Sequence, residues 1–177
     1  MIVLCNIFER FSTVLGAFGR LAIFALIVSM LYEVVARYVF GAPTLWAFDV
    51  SYMLNGSIFL LGSAYSLRKD AHVRIDFLSQ KFPQRVQQYV NGLIYLLVMA
   101  PICFAFTWIA GNKALKAFMT GELEKVSPWA PHVWPFYSVI ALGLLAFSLQ
   151  FIIEAIKYLS GAKLPGETES ELQDLEY

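Results

Sequence analysis

Four long apolar stretches separated by short polar connections form the dominant pattern of the chain. The first covers Leu21–Val39. Three further intervals lack Asp, Glu, Lys and Arg altogether and contain 18, 27 and 28 residues, at positions 50–67, 86–112 and 126–153. A helix needs roughly 20 apolar residues to cross ~30 Å of hydrocarbon. The pattern therefore predicts four transmembrane helices, at about residues 17–40, 46–67, 84–110 and 134–158.

The segments outside these stretches are too short to fold as a soluble catalytic domain. The charged connection 68–85 carries Ile75, Leu78 and Phe82 at helical spacing and ends at Pro83, which predicts a short interfacial helix. Residues 163–177 contain five acids and one lysine, so we expect a disordered acidic tail. One membrane domain, residues 1–162, precedes this tail.

Composition and charge define the class and the orientation. Hydrophobic residues make up 59% of the chain and charged residues 15%, and mean hydropathy is +0.63. The class is therefore an all-α integral membrane protein. If the N-terminus is cytoplasmic, nine Lys and Arg lie on the inner side and four on the outer side, which predicts an N-in, C-in topology with a cytoplasmic interfacial helix and tail. The outer four are Arg37, Lys113, Lys116 and Lys125.

Glu33 and Arg37 lie near the end of the first apolar stretch. Their i,i+4 spacing, with the acid N-terminal, favours a helical ion pair, and Asp49 across the short turn is a possible second partner for Arg37. Ionisable residues within a membrane are costly and suggest function by default. The alternative is that the pair only staples the first helical hairpin.

Small and polar residues recur on one face of several predicted spans. Asn55 and Gly62 share a stripe on the second span, and Gln150 shares one with Glu154 on the fourth. Such stripes let membrane helices approach and hydrogen-bond to one another, or face a different protein. Pro101, in the middle of the third span, predicts a kink that frees the Leu97 carbonyl.

Catalytic and metal-binding patterns are absent from the sequence. There is no Gly-rich phosphate loop, and His72 has neither a second histidine nearby nor a cysteine cluster. We therefore expect no enzyme activity, no cofactor and no metal site. Two functional interpretations remain open at this point, a free-standing small carrier and a membrane anchor for a redox complex.

Two motifs carry a resemblance to a known family. Residues 33–46 read EVVARYVFGAPTLW, and residues 62–76 read GSAYSLRKDAHVRID. Together they resemble the small membrane subunit (DctQ-like) of TRAP transporters, the tripartite ATP-independent periplasmic transporters. The resemblance covers about residues 15–160, with four spans in the family's order.

The resemblance implies a scaffold subunit of a secondary transporter in the bacterial inner membrane. Its partners would be a large sodium-driven elevator subunit in a stable heteromer, a periplasmic binding protein that delivers an organic acid, and membrane lipids, with no nucleic acid and no substrate site of its own. The candidate structural or subunit-interface residues are Glu33, Arg37, Asp49, Asn55, Gly62, Arg68, His72, Arg74, Asp76 and Gln150.

Overall fold

The computed structural model describes the backbone of residues 2–68 and 83–161, and the side chains of residues 13–67, 83 and 85–161. The regular secondary structure of these residues is helical, apart from an isolated antiparallel β-bridge between Leu123 and His132. The helices are α1 (Ile2–Tyr38), α2 (Ala47–Arg68), α3 (Gln84–Ile94), α4 (Ala100–Thr120) and α5 (Trp134–Leu159). A π-helical segment, Tyr95–Met99, joins α3 to α4. The predicted interfacial helix and acidic tail lie outside the described residues.

Two helices extend well beyond the predicted spans. α1 contains 37 residues, and α4 continues to Thr120, ten residues past the predicted end of the third span. At 1.5 Å per residue α1 is about 55 Å long, which exceeds the ~40–45 Å of a whole bilayer. Charged residues such as Lys113 and Lys116 end an apolar run without ending a helix, because lysine is a good helix former.

Three helical stretches among the described residues are long and apolar enough to cross a membrane: Thr13–Tyr38, Arg85–Thr120 and Trp134–Leu159. α2 falls outside this group because polar side chains such as Asp49 and Asn55 lower its hydropathy. The all-helical membrane class is thus confirmed for the described residues, which contain three candidate spans.

α5 is the central helix of the packing. It contacts α2, α3 and α4 extensively and α1 lightly, whereas α1 packs mainly on α2. Burial follows the same order. In the most apolar segment of each helical stretch, 44% is buried in α5, 22% in α1 and 17% in α3–α4. The peripheral helices therefore present most of their apolar surface outward.

Glycines mark the points where helices approach most closely. A Cβ atom added at Gly143 on α5 would lie 2.8 Å from Leu60 Cβ and 3.0 Å from the Leu60 carbonyl carbon on α2. One added at Gly92 on α3 would lie 2.9 Å from Leu159 Cγ on α5. Small residues at such contacts allow membrane helices to pack backbone to backbone.

The disruption expected at Pro101 takes the form of the π-helical segment that directly precedes α4. Proline lacks the N–H that would bond Leu97, and in the widened turn the Ala100 N–H bonds the Tyr95 carbonyl, five residues back. The Ala100 carbonyl in turn accepts a hydrogen bond from buried Ser148 Oγ on α5 at 3.0 Å. The irregular turn is therefore fastened to the central helix.

Candidate functional site

Glu33 is the polar centre of the first hairpin. Its Oε1 atom accepts a hydrogen bond from Arg37 Nε at 2.9 Å and a second contact from Arg37 Nη2. Its Oε2 atom accepts the Thr44 N–H at 3.0 Å and also the Thr44 hydroxyl. Glu33 is buried, whereas 54% of the Arg37 side chain is exposed. The Glu33 carboxylate is thus satisfied by four donors, two of which lie in the turn.

The backbone of the turn brings Thr44 to this position. α1 ends at Tyr38, and Gly41 adopts φ +62°, a left-handed conformation that glycine takes without strain. The Ala42 N–H then returns to the Ala36 carbonyl at 2.9 Å. Thr44 belongs to the motif of residues 33–46, but the sequence does not indicate a partner for it.

Asp49 is fully buried at the start of α2 and accepts a hydrogen bond from the hydroxyl of Ser127, in the connection between α4 and α5. Arg37 pairs with Glu33, as the i,i+4 spacing predicts, and the possible second pairing with Asp49 is not among its contacts with the described residues. The first turn of a helix favours a carboxylate because the backbone N–H groups there point toward it. Asp49 therefore ties the start of α2 to a connection that is 78 residues away.

A second hydrogen bond reinforces this attachment. Tyr52 Oη, one turn after Asp49, donates to Glu124 Oε2 at 3.0 Å. Glu124 lies between α4 and α5, where residues 122–133 form a narrow hairpin, called the hairpin below. In it the Glu124 N–H bonds the Pro131 carbonyl at 2.9 Å. A cleft of about 580 Å³ opens between the hairpin and the start of α2, and Thr44, Phe48 and Pro128 contribute to its lining. The carboxylates that line the cleft, Asp49 and Glu124, are already hydrogen-bonded.

Lysines surround a wider cleft on the other side of the hairpin. It measures about 1030 Å³ and is lined by Lys113 and Lys116 of α4 and by Lys125. Lys113 Nζ lies 4.4 Å from the centroid of the Tyr137 ring, a cation–π contact that fastens α4 to α5. Glu122 and Glu124 also line this cleft, so its charge is mixed.

The other end of α5 carries a buried polar group. Glu154 Oε1 accepts hydrogen bonds from Gln150 Nε2 at 3.1 Å and from Lys157 Nζ at 3.4 Å. Gln150 and Glu154 are almost completely buried, whereas 23% of the Lys157 side chain is exposed. Gln150, a predicted interface residue, thus makes one hydrogen bond within its own helix.

The predicted residues whose side chains the structure describes do not converge on one site. Asn55 is exposed on α2, Gly62 is half-buried on the same helix, and Arg68 is the last residue of α2. The predictions for His72, Arg74 and Asp76 lie outside the described residues. Within the described part of the chain we find no group of three or more His, Cys, Asp and Glu side chains arranged to hold a metal ion.

Most of the chain matches a known protein family. Residues 26–161 match the family described as "Tripartite ATP-independent periplasmic transporters, DctQ component". The sialic acid TRAP transporter permease protein SiaT of Haemophilus influenzae is 31% identical over 88 residues, which cover 50% of this chain and 14% of the relative. The sialic acid TRAP transporter small permease protein SiaQ of Vibrio cholerae is 27% identical over 63 residues, 36% of each chain. The chain thus matches well under half the length of either relative.

Proposed function

The chain belongs to the DctQ component family of tripartite ATP-independent periplasmic transporters, and we propose that it braces a larger membrane subunit of such a transporter. The family match carries the proposal. The geometry agrees with a scaffold, because the hydrogen bonds of Glu33 and Asp49 join separate parts of the chain to one another. The family is one of transporter components and not of enzymes.

The proposed topology has four spans with both termini in the cytoplasm of a bacterial inner membrane. α2 supplies the fourth span, and its packing between α1 and α5, both long and apolar, supports this assignment. The bias of Lys and Arg toward the proposed inner side supports the orientation. All four tryptophans fall at or near the outer ends of the spans, where indole rings sit well among headgroups.

The proposed partners are a large, sodium-driven membrane subunit that is stably bound and a periplasmic binding protein that binds transiently. The transported solute would be an organic acid, a class that includes the sialic acid named for both relatives. The small subunit itself contributes no substrate site and instead fixes the position of the large subunit in the bilayer.

A free-standing carrier is the main alternative, and the positions of the polar side chains argue against it. A carrier needs polar groups that converge on a solute near the midplane. Asn55 faces outward from α2, whereas Gln150 is buried against Glu154 of its own helix. A redox anchor would need haem ligands within a span, whereas His132 lies in the hairpin.

Affinity purification of the tagged chain from its native membranes tests the proposal. We expect a membrane protein considerably larger than this 20.0 kDa chain to co-purify in stable proportion after detergent extraction. Recovery of the chain alone, or with a soluble redox enzyme, would contradict the proposal.

A further inference from the structure

α2 is enclosed on all sides except one. Toward α1, Ser51 Oγ lies 3.0 Å from Met30 Sδ, and toward α5, Leu60 packs directly on Gly143. On the buried side of α2, Ala64 packs with side chains of α1 and α5 in one apolar cluster. What remains is a single narrow face between the two neighbouring helices.

The residues of this face occupy positions that fall within an arc of about 60° at 100° per residue. They are Phe48, Asn55, Phe59, Gly62 and Ser66, and we call them the α2 open face. Phe48 is 77% exposed and Phe59 is 74% exposed. A Cβ atom added at Gly62 would meet nothing within 4 Å, so a notch lies beside Phe59.

Asn55 determines what can cover this face. It is eight residues from the start of α2, about 12 Å along the helix, and therefore deep within the proposed span. Its carboxamide is exposed and has no hydrogen-bond partner among the residues that the structure describes. Hydrocarbon offers no such partner, and polar side chains in membrane helices characteristically hydrogen-bond to neighbouring helices. The chemistry thus calls for a polypeptide and not for lipid.

We propose that the α2 open face binds a transmembrane helix of the large membrane subunit, with Asn55 hydrogen-bonded to a polar group on that helix and Gly62 admitting one of its side chains. The inference rests on the proposed function. The SiaT relative supports this occupant, because the segment matched by this chain is only 14% of a much longer permease. The width of the face, one helix between two neighbours, suits a single inserted helix.

Photocrosslinking from matched phenylalanines tests the proposal in the assembled complex. Phe59 on the α2 open face and Phe104 on α4, which is 57% exposed, would each be replaced by p-benzoylphenylalanine in the tagged chain, co-expressed with the large subunit. We expect an adduct with the large subunit from position 59 and at least tenfold less from position 104. An adduct of two 20.0 kDa chains from position 59, or crosslinking from position 104 alone, would overturn the proposal.

The variant Asn55→Leu provides an independent test. We expect it to retain about three- to tenfold less large subunit on purification, in keeping with measured interhelical hydrogen bonds in membranes. Asn112→Leu, on the exposed surface of α4, is the matched control and should retain the wild-type amount. The thermal stability of each variant chain purified alone separates a lost interface from a folding defect, and Asn55→Leu should be at least as stable as wild type.

The outcomes separate this inference from the function on which it rests. If the wild-type chain retains no large subunit, the proposed function is wrong. If the wild-type chain retains it and Asn55→Leu does so equally, the transporter assignment stands and the α2 open face is not the interface.

Discussion

The carboxylate of Glu33, within α1, accepts the backbone N–H of Thr44 at 3.0 Å across the turn that leads to α2. The same carboxylate accepts Arg37 Nε at 2.9 Å. One side chain therefore fixes both the end of α1 and the geometry of the turn. The i,i+4 spacing of Glu33 and Arg37 suggested a possible functional site within the membrane. The contacts of this pair show instead that it holds the α1–α2 helical hairpin together.

Removal of this fastening should weaken the protein in a graded manner. Glu33→Ala removes the acceptor of Arg37 and of the Thr44 N–H; because Arg37 is largely exposed and can bond to water instead, we expect a loss of about 0.5–1.5 kcal/mol, the net value of a typical hydrogen bond. Glu33→Gln keeps one oxygen acceptor, so it should lose less. Two measurements check this ranking: the unfolding temperature of the purified chain in detergent and the amount of assembled complex. Both should be highest for wild type, lower for Glu33→Gln and lowest for Glu33→Ala.

The control for this series is Lys116→Ala, which removes an exposed charge on α4 that makes no contact with Glu33. We expect it to unfold within about 0.5 kcal/mol of wild type, as surface substitutions usually do. Equal stability of Glu33→Ala and wild type would show that the contacts around Glu33 are dispensable.

Asp49 and Ser127 should be energetically coupled, because the hydroxyl of Ser127 donates to a carboxylate that is almost completely buried. Ser127→Ala and Asp49→Asn should each lower the free energy of unfolding, and the double variant should lose less than the sum of the two. Residues in direct contact typically show coupling of about 0.5–3 kcal/mol. Additive losses in the double-mutant cycle would mean that the hydrogen bond does not hold α2 to the hairpin.

The same substitution at two glycines should have opposite effects. Gly143→Ala places a methyl group 2.8 Å from Leu60 Cβ, and overpacking of this kind costs about 1–3 kcal/mol. Gly111→Ala on α4 meets nothing within 4 Å and should stabilise the helix by about 0.5–1 kcal/mol. Thermal unfolding of the two variants side by side checks the prediction, and an increase in stability for Gly143→Ala would contradict the close packing of α2 and α5.

The sequence predicts helix positions best where turn-forming residues flank the apolar run, as at the start of α2 and the end of α5. α2, Ala47–Arg68, and α5, Trp134–Leu159, each begin and end within one residue of the predicted 46–67 and 134–158. The start of α1 and the end of α4 were not predicted, because charged residues mark where a helix leaves hydrocarbon and do not stop its backbone.

The polar contacts were less predictable than the helices. The i,i+4 spacing of Glu33 and Arg37 is visible in the sequence, because it depends on local helical geometry. The partner of Asp49 was not predictable, since Ser127 lies 78 residues away and only the folded hairpin brings it close. The exposure of Asn55 likewise depends on which side of α2 the neighbouring helices occupy.

Accessibility of single cysteines should establish the orientation of the chain. In a background without Cys5 and Cys103, a cysteine at Val126, which is 90% exposed in the hairpin, should react with impermeant thiol reagents in intact cells. One placed at Lys81, in the connection 68–85, should react only after the inner membrane is permeabilised. The reverse pattern would invert the proposed N-in, C-in topology.

Transport should require this subunit, yet the subunit alone should move nothing. Carrier sites usually lie near the midplane, where broken helices expose polar backbone or side chains to the solute. The irregular segment found among the described helices, Tyr95–Met99, consists of apolar and aromatic residues and is fastened by Ser148 through Ala100. Liposomes that contain only this chain should therefore show no sodium-driven uptake of an organic acid, with or without the binding protein. Addition of the large subunit and the binding protein should restore uptake, and uptake by this chain alone would establish it as a carrier in its own right.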